Sequence, residues 1–293
     1  MLPFRLPPTN GSLEEPLWNG SVFVVGTSSL PVAEYSENGE GWSDELTAMH
    51  ENVSGGRHPI DIASRHDAIS QVRLYIRHPQ SVILEIGCSS GFLIKDLVES
   101  FPKAVVVGAD VVKEPLYRLS RELPGVPLFR FDLLRCPLPD QSVDILIMLN
   151  VLEHIDDDVG ALKKALNMLK PGGYLVIEVP AGSFLYDDYD RELCHFRRYD
   201  STEIKRKLNE VGFEVVRHSH LGLVLYPAFV CIKLFSKVVG SIMGKRNVVN
   251  DQARMTARSS LVRVIMEFES NYLAHFKLPF GIRSVSVARR RED

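Results

Sequence analysis

The run Ser81 to Gly91, S-V-I-L-E-I-G-C-S-S-G, constrains the fold of this chain more than any other feature. An apolar, strand-like stretch ends in an acid and a glycine-bracketed turn, and the helical pattern of Phe92 to Phe101 begins at once. A strand feeding a tight turn at a helix N-terminus belongs to open α/β sheets, which bind ligands there because backbone N–H groups and the helix dipole converge at the carboxyl edge. Glu85 adds an acceptor-only carboxylate at that turn. Its charge disfavours a pyrophosphate and suits a ligand offering hydroxyls or a cationic amine.

The spacing separates the candidates. A dinucleotide fingerprint needs G-x-G-x-x-G, whereas Gly87, Ser89 and Gly91 give G-x-S-x-G, and the Lys-Ser/Thr pair of a P-loop is absent from its place. The same letters spell a nucleophile elbow with Ser89 as nucleophile, so a serine hydrolase stands as an alternative. An elbow follows several strands and an oxyanion loop; only one short β-like run, Ser21 to Val25, precedes Ser81, and no H-G-G-G-type segment does. Downstream, Ala104 to Ala109 is a strand-like run that delivers Asp110, about twenty residues on, where doubly wound folds place a ribose-binding acid. Val126 to Phe131 ends at Asp132, and Val143 to Leu149 ends at Asn150. Turn and cap chemistry accounts for any one of these polar residues. It accounts less well for four at successive strand ends.

Ile83 to Gly91, Asp110, Phe131 to Leu134 with Pro137 to Asp144, L-N-V-L-E-H-I at Leu149 to Ile155 and L-K-P-G-G-Y-L at Leu169 to Leu175 together resemble a class I S-adenosylmethionine-dependent methyltransferase, of the type found in glycan, lipid and quinone pathways. The match runs in order from Ser81 to Val216. The resemblance implies an α/β, Rossmann-like doubly wound sheet of seven strands with the last antiparallel. It also implies that Glu85, Gly87, Cys88, Ser89 and Gly91 wrap the methionine part of S-adenosylmethionine. Asp110, followed by Val111, would then hold the ribose hydroxyls, Asp132 and Leu133 would meet the adenine, and Asn150 would lie near the sulfonium. The family's middle glycine is Ser89 here, which fits if its φ is negative, with less room for the ligand. Cys88 has no basic neighbour and reads as a packing residue.

With 293 residues, 45% of them apolar and 24% charged, the chain suffices for one domain with appendages. A formal charge of -3 with no long basic run argues against nonspecific nucleic-acid binding. Cys88, Cys136, Cys194 and Cys231 lack C-x-x-C spacing, so neither a disulfide framework nor a zinc site is expected, and no metal is assigned. The compartment is then expected to be reducing and cytoplasmic, since Met1 to Asn10 carries three prolines and no apolar signal core. The sequons at Asn10, Asn19 and Asn52 read as idle matches.

Residues 1–59, rich in Pro, Gly and Ser, read as an arm or lid that includes Tyr35 and Trp42; residues 60–220 form the cofactor-binding core; and residues 221–293 supply an apolar helical insertion and a final strand, Ser284 to Ala288. A helix from Pro59 to about Arg77 is expected over the cofactor edge. Further helices follow from the stripes Ile94, Leu97, Val98, Phe101 and Val159, Leu162, Leu166, Leu169, the second stopping at Lys170-Pro171-Gly172. Tyr174 to Val179 and Phe213 to Arg217 read as strands, and Asp200 with Glu203 as the N-cap pair of a helix ending at Gly212.

Between these elements, Tyr186 to Tyr199 reads Y-D-D-Y-D-R-E-L-C-H-F-R-R-Y, a polar and aromatic loop where such folds receive their substrate. By resemblance, Arg197, Arg198 and Tyr199 would contact the acceptor; alternatively the arginines pair with Asp187, Asp188 or Asp190 and fold the loop. His195, then His154, are the first choices for a base. Leu221 to Ile232 is strongly apolar but Lys233 interrupts it too early for a membrane span. The segment through Val239 packs, roofs a lipophilic acceptor, or touches a membrane peripherally. Arg289 to Arg291 read as a solvated tail. The expected activity is methyl transfer, at oxygen, to a small-molecule or lipid- or sugar-linked acceptor, against a serine hydrolase or an idle S-adenosylmethionine-binding sensor.

Overall fold

The computed structural model describes residues 2–36, 43–45, 47, 56–243, 259–273 and 276–292. Trp42 and the sequon at Asn52 lie outside them. At the centre is an eight-stranded sheet. Along the chain its strands are β4 (Ala33–Glu34), β5 (Val82–Ile86), β6 (Val105–Asp110), β7 (Leu128–Arg130), β8 (Val143–Leu149), β9 (Leu169–Pro180), β10 (Phe213–Leu221) and β11 (Arg283–Arg290). Their spatial order is β10-β11-β9-β8-β5-β6-β7-β4, with β11 antiparallel to both neighbours and the rest of the sheet parallel. Seven of these strands are the doubly wound set that the sequence implies. The eighth, β4, comes from the N-terminal arm and pairs with β7 through Ala33 and Phe129.

Alternation along the strands divides the core in two, as parallel strands covered on both faces require. Leu84, Ile86, Leu146, Met148 and Ile177 face one layer, while Ile83, Val106, Ile145, Ile147 and Val176 face the other. The first layer is closed by α4 (Asp158–Met168) and α6 (Ser201–Val211), with the short α5 (Asp188–Glu192) between them in the chain, the second by α1 (Pro59–Tyr75), α2 (Phe92–Ser100) and α3 (Glu114–Glu122). The arm contributes Leu6, Trp18 and Phe23 to the first layer, the latter two from the small antiparallel sheet β1 (Leu17–Trp18), β2 (Phe23–Val25) and β3 (Ser28–Leu30).

Several element ends differ from the sequence reading, each for a local reason. Helix α4 stops at Met168, and Leu169 already begins β9, because Arg290 donates to the carbonyls of Leu166, Asn167 and Leu169 and so caps the helix C-terminus. Arg289 and Arg290 therefore belong to β11 and are not a solvated tail. Asp200 precedes α6 but makes no side-chain cap; its carboxylate accepts from the Ser183 N–H and hydroxyl instead. The apolar C-terminal segment turns at 222–225 and forms α7 (Tyr226–Met243), followed by α8 (Ser260–Phe268). Among the described residues no helix is long and apolar enough to cross a membrane. Lys233, which interrupts the apolar run, is buried, with its ammonium 2.6 Å from Asp187 Oδ1 and 3.2 Å from Asp190 Oδ2.

Candidate active site

One cavity of about 1130 Å³ runs along the carboxyl ends of β5, β6, β8 and β9 and under α7. Glu85, Gly87, Cys88, Ser89, Asp110, Val111, Asp132, Leu133, Asn150, His154, His195 and Arg198 all line it, so the structure gathers most of the sequence-predicted positions at one place. Gly91, Arg197 and Tyr199 do not. Gly91 is the left-handed residue preceding α2, where an added Cβ would strike Leu119 at 2.4 Å.

The turn after β5 is built on positive φ. Gly87 sits at φ 79, and a Cβ there would approach Val151 to 2.4 Å, so glycine is required both by conformation and by close approach. Ser89 sits at φ 45, contrary to the negative φ expected of it. A non-glycine residue in the left-handed region costs about 1–2 kcal/mol. The Ser89 N–H donates to Asp110 Oδ2 at 2.7 Å, which ties this conformation to the next strand end.

Asp110 is nearly fully buried, and its other oxygen accepts from the Val111 and Val112 N–H groups at 2.7 and 3.2 Å. Three backbone donors fix the carboxylate, so the open fork expected for a cis-diol is partly taken by the main chain, with roughly one of about four lone-pair sites left over. Burial raises its pKa against the lowering effect of those N–H groups. Glu85 is buried with Oε2 lacking a hydrogen-bond partner among the described residues, and burial followed by the Asp110 charge holds its pKa well above the usual range. An orphaned acceptor facing a crevice is what a ligand N–H or O–H would complete. Cys88 is buried, and desolvation raises its thiol pKa, in keeping with packing. Asp132 caps the turn at Leu133–Arg135 through the Leu134 N–H.

At the far side, Asn150, at φ 53, donates to Glu178 Oε1, which also accepts from Ser64 and Arg283. Arg283 reaches on to Asp61 at 2.6 Å. A second buried network surrounds Asp190, which takes Arg198 Nε on both oxygens at 2.8 Å, Lys233 from the roof, and His195 Nδ1 at 2.9 Å. These cations and the imidazole hold the Asp190 pKa far down despite its burial. The neighbour of His195 is His154, with ring centroids 4.7 Å apart at 74°. Burial lowers the His195 pKa, partly offset by Asp190. Glu153 beside them is 0% exposed, and burial pushes its carboxyl up to about 8. Leu225, Phe229, Ile232, Val262 and Ile282 form the apolar wall opposite.

Arg197 turns away and binds Asp156 and Asp158, while Tyr199 is core, its hydroxyl donating to Asp158 at 2.8 Å. The loop-folding alternative thus describes Arg198, which pairs with Asp190, whereas Arg197 pairs with Asp156 and Asp158 and with none of the three acids expected of it. Glu153, Glu178, Asp190, Lys233 and Arg283 were not assigned to the site from sequence. Glu153 carried a signal as the residue before His154 in the L-N-V-L-E-H-I run, and Asp190 one as a candidate partner of the loop arginines; the others meet only through tertiary packing.

Residues 84–177 match the family model described as a methyltransferase domain. A protein of Mycolicibacterium smegmatis named as a probable S-adenosylmethionine-dependent methyltransferase is 30% identical over 156 residues, which are 52% of this chain and 58% of that one. A trans-aconitate 2-methyltransferase of an Azoarcus strain is 33% identical over 113 residues, 39% of this chain and 43% of its own. The chain thus spans about half the length of these curated relatives. In fold, the [4+2]-cyclase SpnF is similar at a TM-score of 0.52 and 15% identity, covering 79% of this chain and 81% of its own. A chain from the complex between the Haloferax volcanii Trm112 methyltransferase activator and a methyltransferase reaches 0.56 at 13% identity, covering 85% and 98%. Strand order, the β5 turn and the matched residues together identify a class I S-adenosylmethionine-dependent methyltransferase domain in this chain.

Proposed function

We propose that this chain transfers a methyl group from S-adenosylmethionine to a hydroxyl on an acceptor with an apolar body. The observation that supports this reading is the continuity of one cavity from the acidic strand ends to a chamber with an apolar wall and a histidine-bearing floor. When bound, the cofactor supplies a methyl group on a sulfonium, already a good leaving group. Glu85 and the N–H groups of the Gly87–Gly91 turn would receive its amino-acid part, Asp110 the ribose, and Asp132 with Leu133 the adenine. Asn150, tethered by Glu178, would border the reacting end.

The chain's own contribution is aim and exclusion of water. Holding the acceptor oxygen in line is worth up to about 7–11 kcal/mol. Phe229, Ile232 and Val262 would cover the acceptor's apolar body, and His195, oriented by Asp190, presents Nε2 toward the floor where a hydroxyl proton leaves. Arg198 and Arg283 are engaged by Asp190 and Glu178, which favours a hydroxyl over a carboxylate as the reacting group. An apolar acceptor also gives the exposed Ile232, Leu234 and Phe235 of α7 a use in collecting it from a lipid surface.

The test is transfer of labelled methyl to alkyl-phenol and lipid-alcohol acceptors, with cofactor affinity measured by calorimetry. Binding of S-adenosylmethionine with no transfer to any acceptor favours the sensor reading. Ester hydrolysis abolished by Ser89→Ala favours the hydrolase.

A further inference from the structure

Glu153, His154 and His195 bring one ligand atom each to within 4.8 Å of one another on the cavity floor. Among the described residues, no other residue donates a hydrogen bond to either oxygen of Glu153, although the side chain is completely buried. Two guanidinium groups are close enough to act on it electrostatically, yet both bond elsewhere, Arg198 to Asp190 and Ala181, Arg283 to Glu178, Ser64 and Asp61. A buried carboxylate without donors is left uncompensated unless a proton or a cation joins it.

His195 supplies the second, independent observation. Its Nδ1 lies 2.9 Å from Asp190 Oδ1, and Asp190 is kept an acceptor by Arg198 and Lys233. That partner places the ring proton on Nδ1 and leaves the Nε2 lone pair for the cavity. A carboxylate behind an imidazole is the way metal-binding histidines are oriented and made more basic.

We propose that Glu153, His154 and His195 bind one divalent transition-metal ion on the floor of the acceptor cavity. Two imidazoles and a carboxylate suit the series from Mn²⁺ to Zn²⁺ better than Mg²⁺ or Ca²⁺, which prefer all-oxygen sets. Three protein ligands leave coordination positions open toward the cavity. The ion's role rests on the methyl-transfer reading: as a Lewis acid it lowers the pKa of the acceptor hydroxyl, whose proton passes to solvent because the ion holds the His195 Nε2 that would otherwise take it, and its oxidation state does not change. None of the four cysteines contributes a ligand, which is why a search for cysteine spacing finds no such site.

The experiment is a titration of untagged, chelator-dialysed full chain with Co²⁺, followed by visible absorption, and with Zn²⁺, followed by calorimetry. One ion per chain is expected, with d–d bands of a nitrogen-containing site. Glu153→Gln and His195→Ala should each weaken binding at least ~10-fold. His218→Ala, at a separate histidine pair in β10, should leave it unchanged. Thermal unfolding in chelator checks that each variant folds, and His154→Ala carries the same test should Glu153→Gln fail. Absence of saturable binding by the wild-type chain, or equal binding by all three ligand variants, overturns the site. Ion binding without methyl transfer upholds the site and fails the transfer reading; transfer by protein that binds no ion overturns the site alone.

Discussion

Asp110 is where a single side chain holds two tasks, since it organises the Ser89 and Val111–Val112 main chain and faces the cavity. Hydrogen bonds to a charged group are worth about 1.5–3 kcal/mol, so Asp110→Ala is expected to weaken S-adenosylmethionine binding roughly 10- to 150-fold in calorimetric titration. Asp110→Asn, which keeps the oxygen facing Ser89 or Val111 but loses the charge, should fall between. Unchanged affinity in both would remove Asp110 from the cofactor site. Ser89 separates chemistry from conformation at its left-handed φ of 45. Ser89→Gly should relieve about 1 kcal/mol of backbone cost, seen as a higher Tm, while retaining cofactor affinity. At Gly87 the opposite holds: Gly87→Ala meets Val151 at 2.4 Å as well as a φ of 79. Adding Val151→Ala should then recover only the steric part of the lost stability.

Between elements, buried ion pairs fix how the helices sit. Asp158, at the start of α4, accepts from Tyr199 at 2.8 Å and from Lys207 of α6 at 2.5 Å, and pairs with Arg197 at 2.9 Å. Burial would raise its pKa, but these partners together bring it below the ordinary carboxylate value. A carboxyl with a depressed folded pKa stabilises fully above its unfolded pKa, near 3.9, and loses that contribution as pH falls through the folded value. Asp158→Asn should therefore cost about 3–5 kcal/mol in urea unfolding at pH 7, with the gap to wild type narrowing below about pH 4. A pH-independent gap would show that packing, and not charge, is what the substitution removes. Lys233 is the corresponding pin of α7, and Lys233→Met should free the roof from Asp187 and Asp190, read as faster amide exchange along α7.

Across the whole molecule, the strand order decides which parts are dispensable. β11, although near the C-terminus, lies between β9 and β10, so the sheet closes only through contacts between distant parts of the chain. Removing residues 283–293 should prevent cooperative folding, leaving no sigmoidal thermal transition. Removing residues 2–36 strips an edge strand and the Leu6, Trp18 and Phe23 contribution to one core layer. That truncation should lower Tm and raise dye binding to exposed apolar surface while the far-UV spectrum keeps its α/β shape. Loss of all secondary structure on that deletion would mean that the arm is integral to the sheet, not an addition to it.

The cofactor side of the site was legible because its residues follow one another along the chain, each polar group at the end of an apolar run, as Glu85, Asp110, Asp132 and Asn150 show. Strand alternation and helix spacing are local properties, and they set fold class and strand positions without reference to distant contacts. The acceptor side was decided by tertiary structure. Asp190, Lys233, Glu178 and Arg283 come from different elements, and their charges are tolerable inside the protein only because folding brings opposite signs within hydrogen-bonding distance. Pairing of that kind leaves no periodicity in the chain, which is why Arg197 and Arg198 resembled substrate ligands in the sequence and proved, once folded, to be partners of the buried Asp158 and Asp190.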